Sequence, residues 1–253
     1  HGLPAALAAA AAALTGEADP WALAPLAPRI YTLPTQCGGG AMELRLADAD
    51  YSCSGTGRFV YGAAEALAYL IAKGAGGLDV SGRRVLELGC GVGLVGLSCA
   101  AAGAAAVTLT DCDAGALATC QGNLRLNLPE GGGPLPSGSR GRCVQVDWAD
   151  AGAALVHLSS AGEHMFGPAD LVVAADVCYH REHPVLLLSA LHALAEGGAL
   201  SSDAEVVVLN GRPNVGLRRF EALVRAAPGA EQSALRAGAL WGPAAATAAA
   251  AGG

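Results

Sequence analysis

A short apolar strand that breaks into a run of glycines constrains this 253-residue chain more than any other feature. Residues 85–96 read VLELGCGVGLVG, with the acid Glu87 in the strand, followed by Gly89, Gly91 and Gly93. Glycine allows positive φ and lets a ligand approach without meeting a Cβ, and the start of the following helix offers free N–H groups. The segment is therefore typical of a strand, a tight turn and a helix N-terminus that together bind a nucleotide-type ligand.

Strand and helix patterns alternate from this point along the chain. Strands are predicted at 84–88, 106–110, 142–146, 170–175 and 205–209. Helices are predicted at 59–72, 93–102, 114–125, 184–195 and 215–226, after two short strands at 30–33 and 42–46. Such alternation predicts an α/β fold, with a Rossmann-like, mostly parallel sheet and helices on both faces. No closing C-terminal β-hairpin is evident in the sequence after Phe220.

Composition divides the chain into three parts. Residues 1–28 form a low-complexity segment rich in Ala and Pro, residues 29–228 carry the α/β pattern, and residues 229–253 form a tail rich in Ala and Gly. The apolar run at 5–14 is shorter than the roughly 20 residues that a membrane span needs, so no membrane association is expected.

The overall charge indicates which partners the protein suits. A net charge of −7 disfavours nucleic acid, which usually meets a basic face, and instead suits a basic or amine-bearing partner. The eight cysteines include no CxxC pair, which predicts a reduced, intracellular protein with no zinc site.

Acids lie at the ends of successive predicted strands, where parallel sheets bind ligands. Asp111 is placed to hold ribose hydroxyls, although it or Asp113 could instead cap the next helix. Asp147 and Trp148 are placed to contact an adenine ring, and Asp176 and Tyr179 lie at the next strand end, beside the place expected for the reacting group of the ligand.

The pattern from Gly91 to Gly96 also fits the GxGxxG fingerprint of dinucleotide-binding proteins. Glu87 decides against that interpretation, because a carboxylate repels a pyrophosphate but attracts the ammonium group of S-adenosylmethionine (SAM). We therefore predict SAM as the ligand, with a nicotinamide oxidoreductase as the alternative.

Two further polar pairs each have more than one interpretation. Asn123 and Asn127 lie four residues apart on one predicted helix face, where they either support the glycine turn or cap locally. His180 and His183 have HxxH spacing, but His157 and His164 are poor candidates for completing a metal site. We expect no metal and a solvated helix start.

Several of these segments together resemble the family-16 group of seven-strand, SAM-dependent protein-lysine methyltransferases. The resemblance rests on GRFVYGAAEALAYL at 57–70, the glycine turn, Asp111, NLRLN at 123–127, Asp147-Trp148 and ADVCY at 175–179. It implies that Asp176 and Tyr179 form the DxxY element of the amine pocket, and that Ala175 and Tyr61 line the SAM site. Tyr61 stands where family members usually carry tryptophan.

The resemblance also implies a protein substrate. The AADVCY segment and the Asp111-Cys112 pair are most similar to members that methylate elongation factor 2, which suggests a translation elongation factor as the target. A cytoplasmic, monomeric enzyme is expected. A SAM-binding scaffold without activity, or a methyltransferase that acts on another protein residue, are the alternatives.

Overall fold

The computed structural model describes residues 28–35, 40–48, 56–150, 166–211, 215–226 and 235–236. The strands are β1 Arg29–Pro34, β2 Ala41–Leu46, β3 Arg84–Leu88, β4 Ala106–Asp111, β5 Gly141–Gln145, β6 Ala169–Ala175, β7 Leu200–Leu209 and β8 Leu235–Arg236. The helices are α1 Gly62–Lys73, α2 Leu94–Ala101, α3 Ala114–Asn127, α4 His183–Glu196 and α5 Val215–Ala226.

Six parallel strands form the central sheet in the order β5-β4-β3-β6-β7-β8. The strand order reverses at β3, because β4 and β5 lie on one side of it and β6 and β7 on the other. Ligands bind beyond the carboxyl ends of the strands at such a switch point. The predicted fold class is confirmed, and the glycine turn after β3 lies at this point.

Helices cover both faces of the sheet because successive strand residues point to opposite sides. On β3, Val85 packs into a core with residues of α1, α2 and α3, whereas Leu86 packs with residues of α4 and α5. Both strand residues are buried, as expected for a parallel sheet covered on both faces.

The two strands predicted near the N-terminus form an antiparallel hairpin outside the main sheet. In β2, Leu44 and Leu46 are buried, whereas Glu43 and Arg45 are exposed, so the predicted alternation is confirmed. These leucines join the core on the α1–α3 face. The hairpin thus extends that layer beyond the sheet.

Helix α1 begins later than predicted, at Gly62 rather than Phe59. The preceding residue, Tyr61, has extended backbone angles. The segment before it crosses the glycine turn so closely that a Cβ on Gly57 would lie 3.1 Å from Cα of Gly91. Contact with the turn therefore holds this segment out of the helix that its apolar spacing predicts.

At the C-terminal end, the sheet continues with the two-residue strand β8, parallel to β7. The predicted segment 1–28 and tail 229–253 fall almost wholly outside the described residues. None of the helices in the described ranges has the length and apolar character needed to span a bilayer.

Candidate active site

A cavity of about 680 Å³ opens at the carboxyl ends of β3, β4, β5 and β6. Every site residue predicted from the sequence lines it except Gly93, namely Tyr61, Glu87, Gly89, Gly91, Asp111, Asp147, Trp148, Ala175, Asp176 and Tyr179. The volume falls in the range of pockets that hold a small ligand, roughly 300–1,000 Å³. The ends of four strands and the segment before α1 therefore converge on one site.

The glycine turn forms the floor of the cavity. Gly89 and Gly91 have φ of +73° and +52°, which L-residues rarely adopt. A Cβ on Gly89 would come within 2.8 Å of a Val177 methyl and 3.6 Å of the Trp148 ring. Neither position has room for a side chain, so the turn presents bare backbone to a ligand.

Gly93 is the predicted site glycine that does not line the cavity. It precedes the first residue of α2 with φ of +94°, and a Cβ there would lie 2.6 Å from Sγ of Cys120. Its lack of a side chain lets α2 and α3 pack closely beneath the cavity. It shapes the turn without lining the pocket.

Asp111 connects the glycine turn to the start of α3. Its Oδ2 accepts a hydrogen bond of 2.9 Å from the Gly91 N–H, and its Oδ1 accepts one of 2.9 Å from the Asp113 N–H. Asp113, and not Asp111, caps α3 by accepting from Gly115 and Ala116. Each carboxylate oxygen has a second lone pair, so Asp111 retains acceptor capacity toward the cavity.

Glu87 lies beneath the turn and is almost fully buried, with 2% of its surface exposed. Its Oε2 accepts a hydrogen bond of 2.8 Å from the Gly96 N–H in α2. Burial raises the pKa of this carboxyl from its usual 4.5 to about 8, assisted by the charge of Asp111 and opposed by the Gly96 hydrogen bond. Burial likewise raises the pKa of Asp111.

A short turn after β5 provides an aromatic wall. Asp147 is exposed and caps this turn through a 2.9 Å hydrogen bond from the Ala149 N–H. Trp148 is half-buried, and its ring lies edge-on to that of His183, with 6.3 Å between centroids.

Asp176 directly follows β6 and has φ of +58°, and no other described residue apart from glycines has a positive φ. Such a conformation costs of the order of 1–3 kcal/mol and clusters at functional sites. Its N–H donates to the Leu209 carbonyl (2.7 Å), and its Oδ1 accepts from the Gly211 N–H (3.1 Å). The strained backbone thus turns the chain out of the sheet, and the carboxylate lines the cavity.

Two tyrosines at the rim converge on Thr56. The Tyr61 hydroxyl donates to the Thr56 carbonyl at 2.6 Å, and the Tyr179 hydroxyl lies 2.8 Å from the Thr56 Oγ1. Both rings are about half exposed. The segment that crosses the glycine turn is therefore anchored on both sides of the cavity mouth.

His183 belongs to the site, although its sequence position predicted a solvated helix start. It lines the cavity beside Trp148 and Tyr179, and its ring is edge-on to that of Tyr179 at 4.5 Å. Its Nδ1 lies 2.8 Å from the Val177 carbonyl oxygen. Only the HxxH spacing marked this residue in the sequence.

The cavity is lined by acidic groups. None of its described lining residues is Lys or Arg. Five acidic side chains border it, namely Glu87, Asp111, Asp113, Asp147 and Asp176. A site of this charge attracts a cation and repels a pyrophosphate. The geometry therefore favours a positively charged ligand over a dinucleotide.

Across the described ranges, no three His, Cys, Asp or Glu side chains are arranged to hold a metal ion. His157 and His164, which the sequence analysis considered as metal ligands, lie outside these ranges.

Comparison with known proteins agrees with this site. The chain is 34% identical over 148 residues to the protein N-lysine methyltransferase METTL21A of Danio rerio, covering 58% of this chain and 60% of that protein. It is 35% identical over 118 residues to EEF1A lysine methyltransferase 3 of Mus musculus, covering 46% and 42%. It is 32% identical over 134 residues to the N-terminal and lysine N-methyltransferase EFM7 of Yarrowia lipolytica, covering 47% and 46%.

The matches thus span between 42% and 60% of these relatives. The pattern of one family, described as lysine methyltransferase, matches residues 41–212, which is more than half of the chain and contains every residue of the site described above. This chain belongs to the lysine methyltransferase family.

Proposed function

We propose that this protein transfers a methyl group from SAM to a lysine side chain of a protein. The observation that carries the proposal is the acidic cavity on a bare glycine turn, at the switch point of the sheet. Family membership supports the same reaction.

The residues of the cavity fit SAM by charge and by space. When bound, SAM supplies a methyl carbon that leaves its sulfur, while the electron pair of the C–S bond stays on sulfur as a neutral thioether. Glu87 and the turn at Gly89 and Gly91 would hold the amino-acid end, and Asp111 the ribose. Asp147 and Trp148 would hold the adenine.

Asp176 and Tyr179 lie across the cavity from the glycine turn and would receive the lysine. A lysine amine has a pKa of about 10.4, so it enters as an ammonium ion that an acidic wall attracts. Asp176 can hold this ammonium by a charge-assisted hydrogen bond, and alignment of the amine with the methyl carbon supplies much of the rate.

A translation elongation factor is the proposed substrate. One relative is named for its action on EEF1A, which supports an elongation factor as the class of target. The similarity of the AADVCY segment to family members acting on elongation factor 2 supports that protein as the second candidate. Both proteins therefore serve as acceptors in the test below.

We also propose that the protein works in the cytoplasm as a monomer. All six described cysteines are free, including Cys120, whose Sγ lies 3.7 Å from Sγ of Cys90 and of Cys143. A chain with eight cysteines and no CxxC pair suits a reducing compartment. Light scattering of the purified protein checks the monomer.

The decisive experiment compares the wild-type protein with Asp176→Asn. Asparagine tolerates the positive φ of this position and keeps an oxygen for the Gly211 N–H, so the variant should fold. We expect its affinity for S-adenosylhomocysteine (SAH), measured by calorimetry, to remain near that of the wild type. Transfer of tritiated methyl to elongation factor 1A, elongation factor 2 or a cell extract should fall roughly 100-fold.

Other outcomes would contradict the proposal. Full turnover by Asp176→Asn would show that this carboxylate takes no part in the reaction. Wild-type protein that binds SAH but labels no protein would support a scaffold, and label recovered on another amino acid would place the reaction elsewhere. Binding of NADH instead of SAH would support the oxidoreductase alternative.

A further inference from the structure

The reaction proposed above leaves one proton without an acceptor. An ammonium ion has no lone pair with which to attack carbon, so the target lysine must lose a proton first. The Tyr179 hydroxyl is engaged with Thr56. Asp176 accepts from the Gly211 N–H through Oδ1 and is assigned above to holding the ammonium, and a carboxylate is in general a weaker base than an imidazole. His183 lines the same cavity and contacts the Tyr179 ring.

The hydrogen bond of His183 determines which ring nitrogen is free. A carbonyl oxygen can only accept, so Nδ1 must carry the hydrogen that it donates to the Val177 carbonyl at 2.8 Å. In the neutral ring, Nε2 then holds the lone pair. Among the described residues, Nε2 has no hydrogen-bond partner, which leaves it able to take a proton.

The surrounding rings fix the orientation of this imidazole. Three aromatic rings contact that of His183 edge-on, with centroids no more than 6.3 Å away: those of Trp148, Tyr179 and His180. The ring is therefore held on three sides and by one hydrogen bond. A base oriented in this way needs no rearrangement when the substrate arrives.

We propose that His183 accepts the proton of the target lysine through Nε2, an inference that rests on the proposed function. The N–H bond of the ammonium breaks, its electron pair stays on nitrogen, and the proton bonds to Nε2. His183 becomes an imidazolium, and the freed pair on nitrogen becomes the nucleophile. Water takes the proton from Nε2 after the product leaves.

The titratable groups around His183 come from three segments. Tyr179 and His180 contact its ring from the loop after β6. Asp147 lines the cavity from the turn after β5, and Asp176 from the end of β6. The two carboxylates attract the ammonium that supplies the proton.

The test uses His183→Asn, because the side-chain amide of asparagine can place an N–H where Nδ1 donates but has no counterpart of Nε2. His192→Asn on the same helix is the matched control, since this exposed histidine lies outside the cavity. At pH 7 we expect kcat of His183→Asn to fall about 100-fold toward the acceptor that the wild type labels. Unfolding temperature and SAH affinity should not change.

Raising the pH should restore the variant. Free lysine becomes increasingly neutral as the pH approaches about 10, so a missing base matters less there. The ratio of wild-type to variant kcat should therefore shrink to less than about 10 in that range. A structural role for His183 would instead give a loss that does not depend on pH, or a loss of SAH affinity, and would overturn the inference.

A second measurement does not depend on activity. Long-range ¹H–¹⁵N spectra of the SAH-bound protein, labelled at histidine, should show the Nδ1–H tautomer for the resonance that His183→Asn removes. Hydrogen on Nε2 would overturn the inference, as would wild-type kcat in the variant. A wild-type protein that methylates no lysine would refute the proposed function itself, and this inference with it.

Discussion

Glu87 is an acid placed where the fold disfavours its charge. It lies under the glycine turn, almost fully buried, with a single hydrogen bond from the Gly96 N–H, and burial raises its pKa to about 8. At neutral pH the carboxyl of the free protein is therefore mainly protonated. A cation bound above it would favour the ionised form, so this residue couples ligand charge to a buried proton.

The free energy of unfolding of the protein should depend on pH through this carboxyl. The pKa of about 8 in the folded state exceeds the usual 4.5 of the unfolded chain, so between these values the folded state holds a proton that the unfolded state releases. The stability that Glu87 contributes is complete below about pH 4.5 and is lost as the pH rises through 8. The loss is at most about 1.4 kcal/mol per pH unit.

Glu87→Gln should remove this dependence, because glutamine keeps an oxygen for the Gly96 N–H and has no proton to release. Urea unfolding from pH 5 to 9 should show the wild type losing stability relative to Glu87→Gln as the pH rises. Glu43→Gln, at an exposed site in β2, should follow the wild type. Parallel curves for wild type and Glu87→Gln would contradict the assignment.

At the scale of residues, the sequence predicted which side chains lie together in the cavity but not the hydrogen bonds that position them. Strand ends placed Asp111, Asp147 and Asp176 at one edge, because parallel strands bring their carboxyl ends together. The sequence could not separate Asp111 from Asp113 as the helix cap, since both types suit that position. Nor could it place His183, whose location depends on how the loop after β6 folds back toward Trp148.

At the scale of elements, α2 packs very closely against the sheet. Gly96 makes this contact possible, because a Cβ there would lie 2.5 Å from a Leu109 methyl and 2.7 Å from Oε2 of Glu87. Gly122 in α3 provides the contrast, since nothing lies within 4 Å of its added Cβ. The third glycine of the GxGxxG pattern therefore serves helix packing.

Alanine should have opposite effects at these two glycines. The methyl group added in Gly96→Ala pushes Leu109 and Glu87 away from α2. It should lower the free energy of unfolding by roughly 1–3 kcal/mol and weaken SAH binding. Gly122→Ala adds a better helix former in open space and should raise it by about 0.5–1 kcal/mol. Equilibrium denaturation measures both, and equal stabilities for the two variants would refute the packing argument.

A pair of buried asparagines attaches the β1–β2 hairpin to α3. Asn123 accepts from the Ala47 N–H and donates to the Ala47 and Val92 carbonyls, at 2.8, 3.0 and 2.9 Å. Asn127 accepts from the Arg45 N–H at 2.9 Å and donates to the Arg45 carbonyl at 2.7 Å. The two amides replace the missing neighbour strand of β2, and Asn123 also holds the glycine turn.

Asn127→Ala should therefore leave the N–H and carbonyl of Arg45 without partners. A fully buried group of this kind costs about 1–3 kcal/mol. The Arg45 groups are only partly buried, so we expect a loss of roughly 1–3 kcal/mol in all in the free energy of unfolding. Gln121→Ala, on the exposed side of the same helix, should be near neutral. Equal losses in the two variants would show that the amide contacts with β2 contribute little.

The elements themselves were accessible from the sequence, because alternating apolar runs and helical spacing are local properties. The strands of the parallel sheet and the helices after it fall within a few residues of their predicted positions, apart from the longer β7 and the later start of α1. The docking of β2 on α3 was not accessible. Its hydrogen bonds join residues 76 and 82 positions apart, and the spacing of two asparagines identifies a shared helix face without identifying its partner.

At the scale of the whole molecule, the acidic character of the chain concentrates at its site. The net charge is −7, and the described lining of the cavity contains five acidic side chains and no Lys or Arg, with Glu87 mainly protonated in the free protein at neutral pH. The field from these groups acts on any ligand that approaches the carboxyl edge of the sheet. It discriminates between two ligands of nearly equal shape, because SAM carries a cationic sulfur and SAH a neutral one.

Salt should therefore weaken the binding of SAM more than the binding of SAH. The Debye length shortens from about 10 Å at 0.1 M to 3 Å at 1 M, which screens the more exposed carboxylates but leaves buried ones less affected. Between these two concentrations of NaCl, we expect the ratio of SAH to SAM dissociation constants to fall about two- to fivefold, as measured by calorimetry at pH 8. Asp147→Asn, which removes an exposed carboxylate from the cavity, should reduce this dependence on salt. A ratio that is independent of salt in the wild type would mean that shape, and not the acidic cavity, selects the methyl donor.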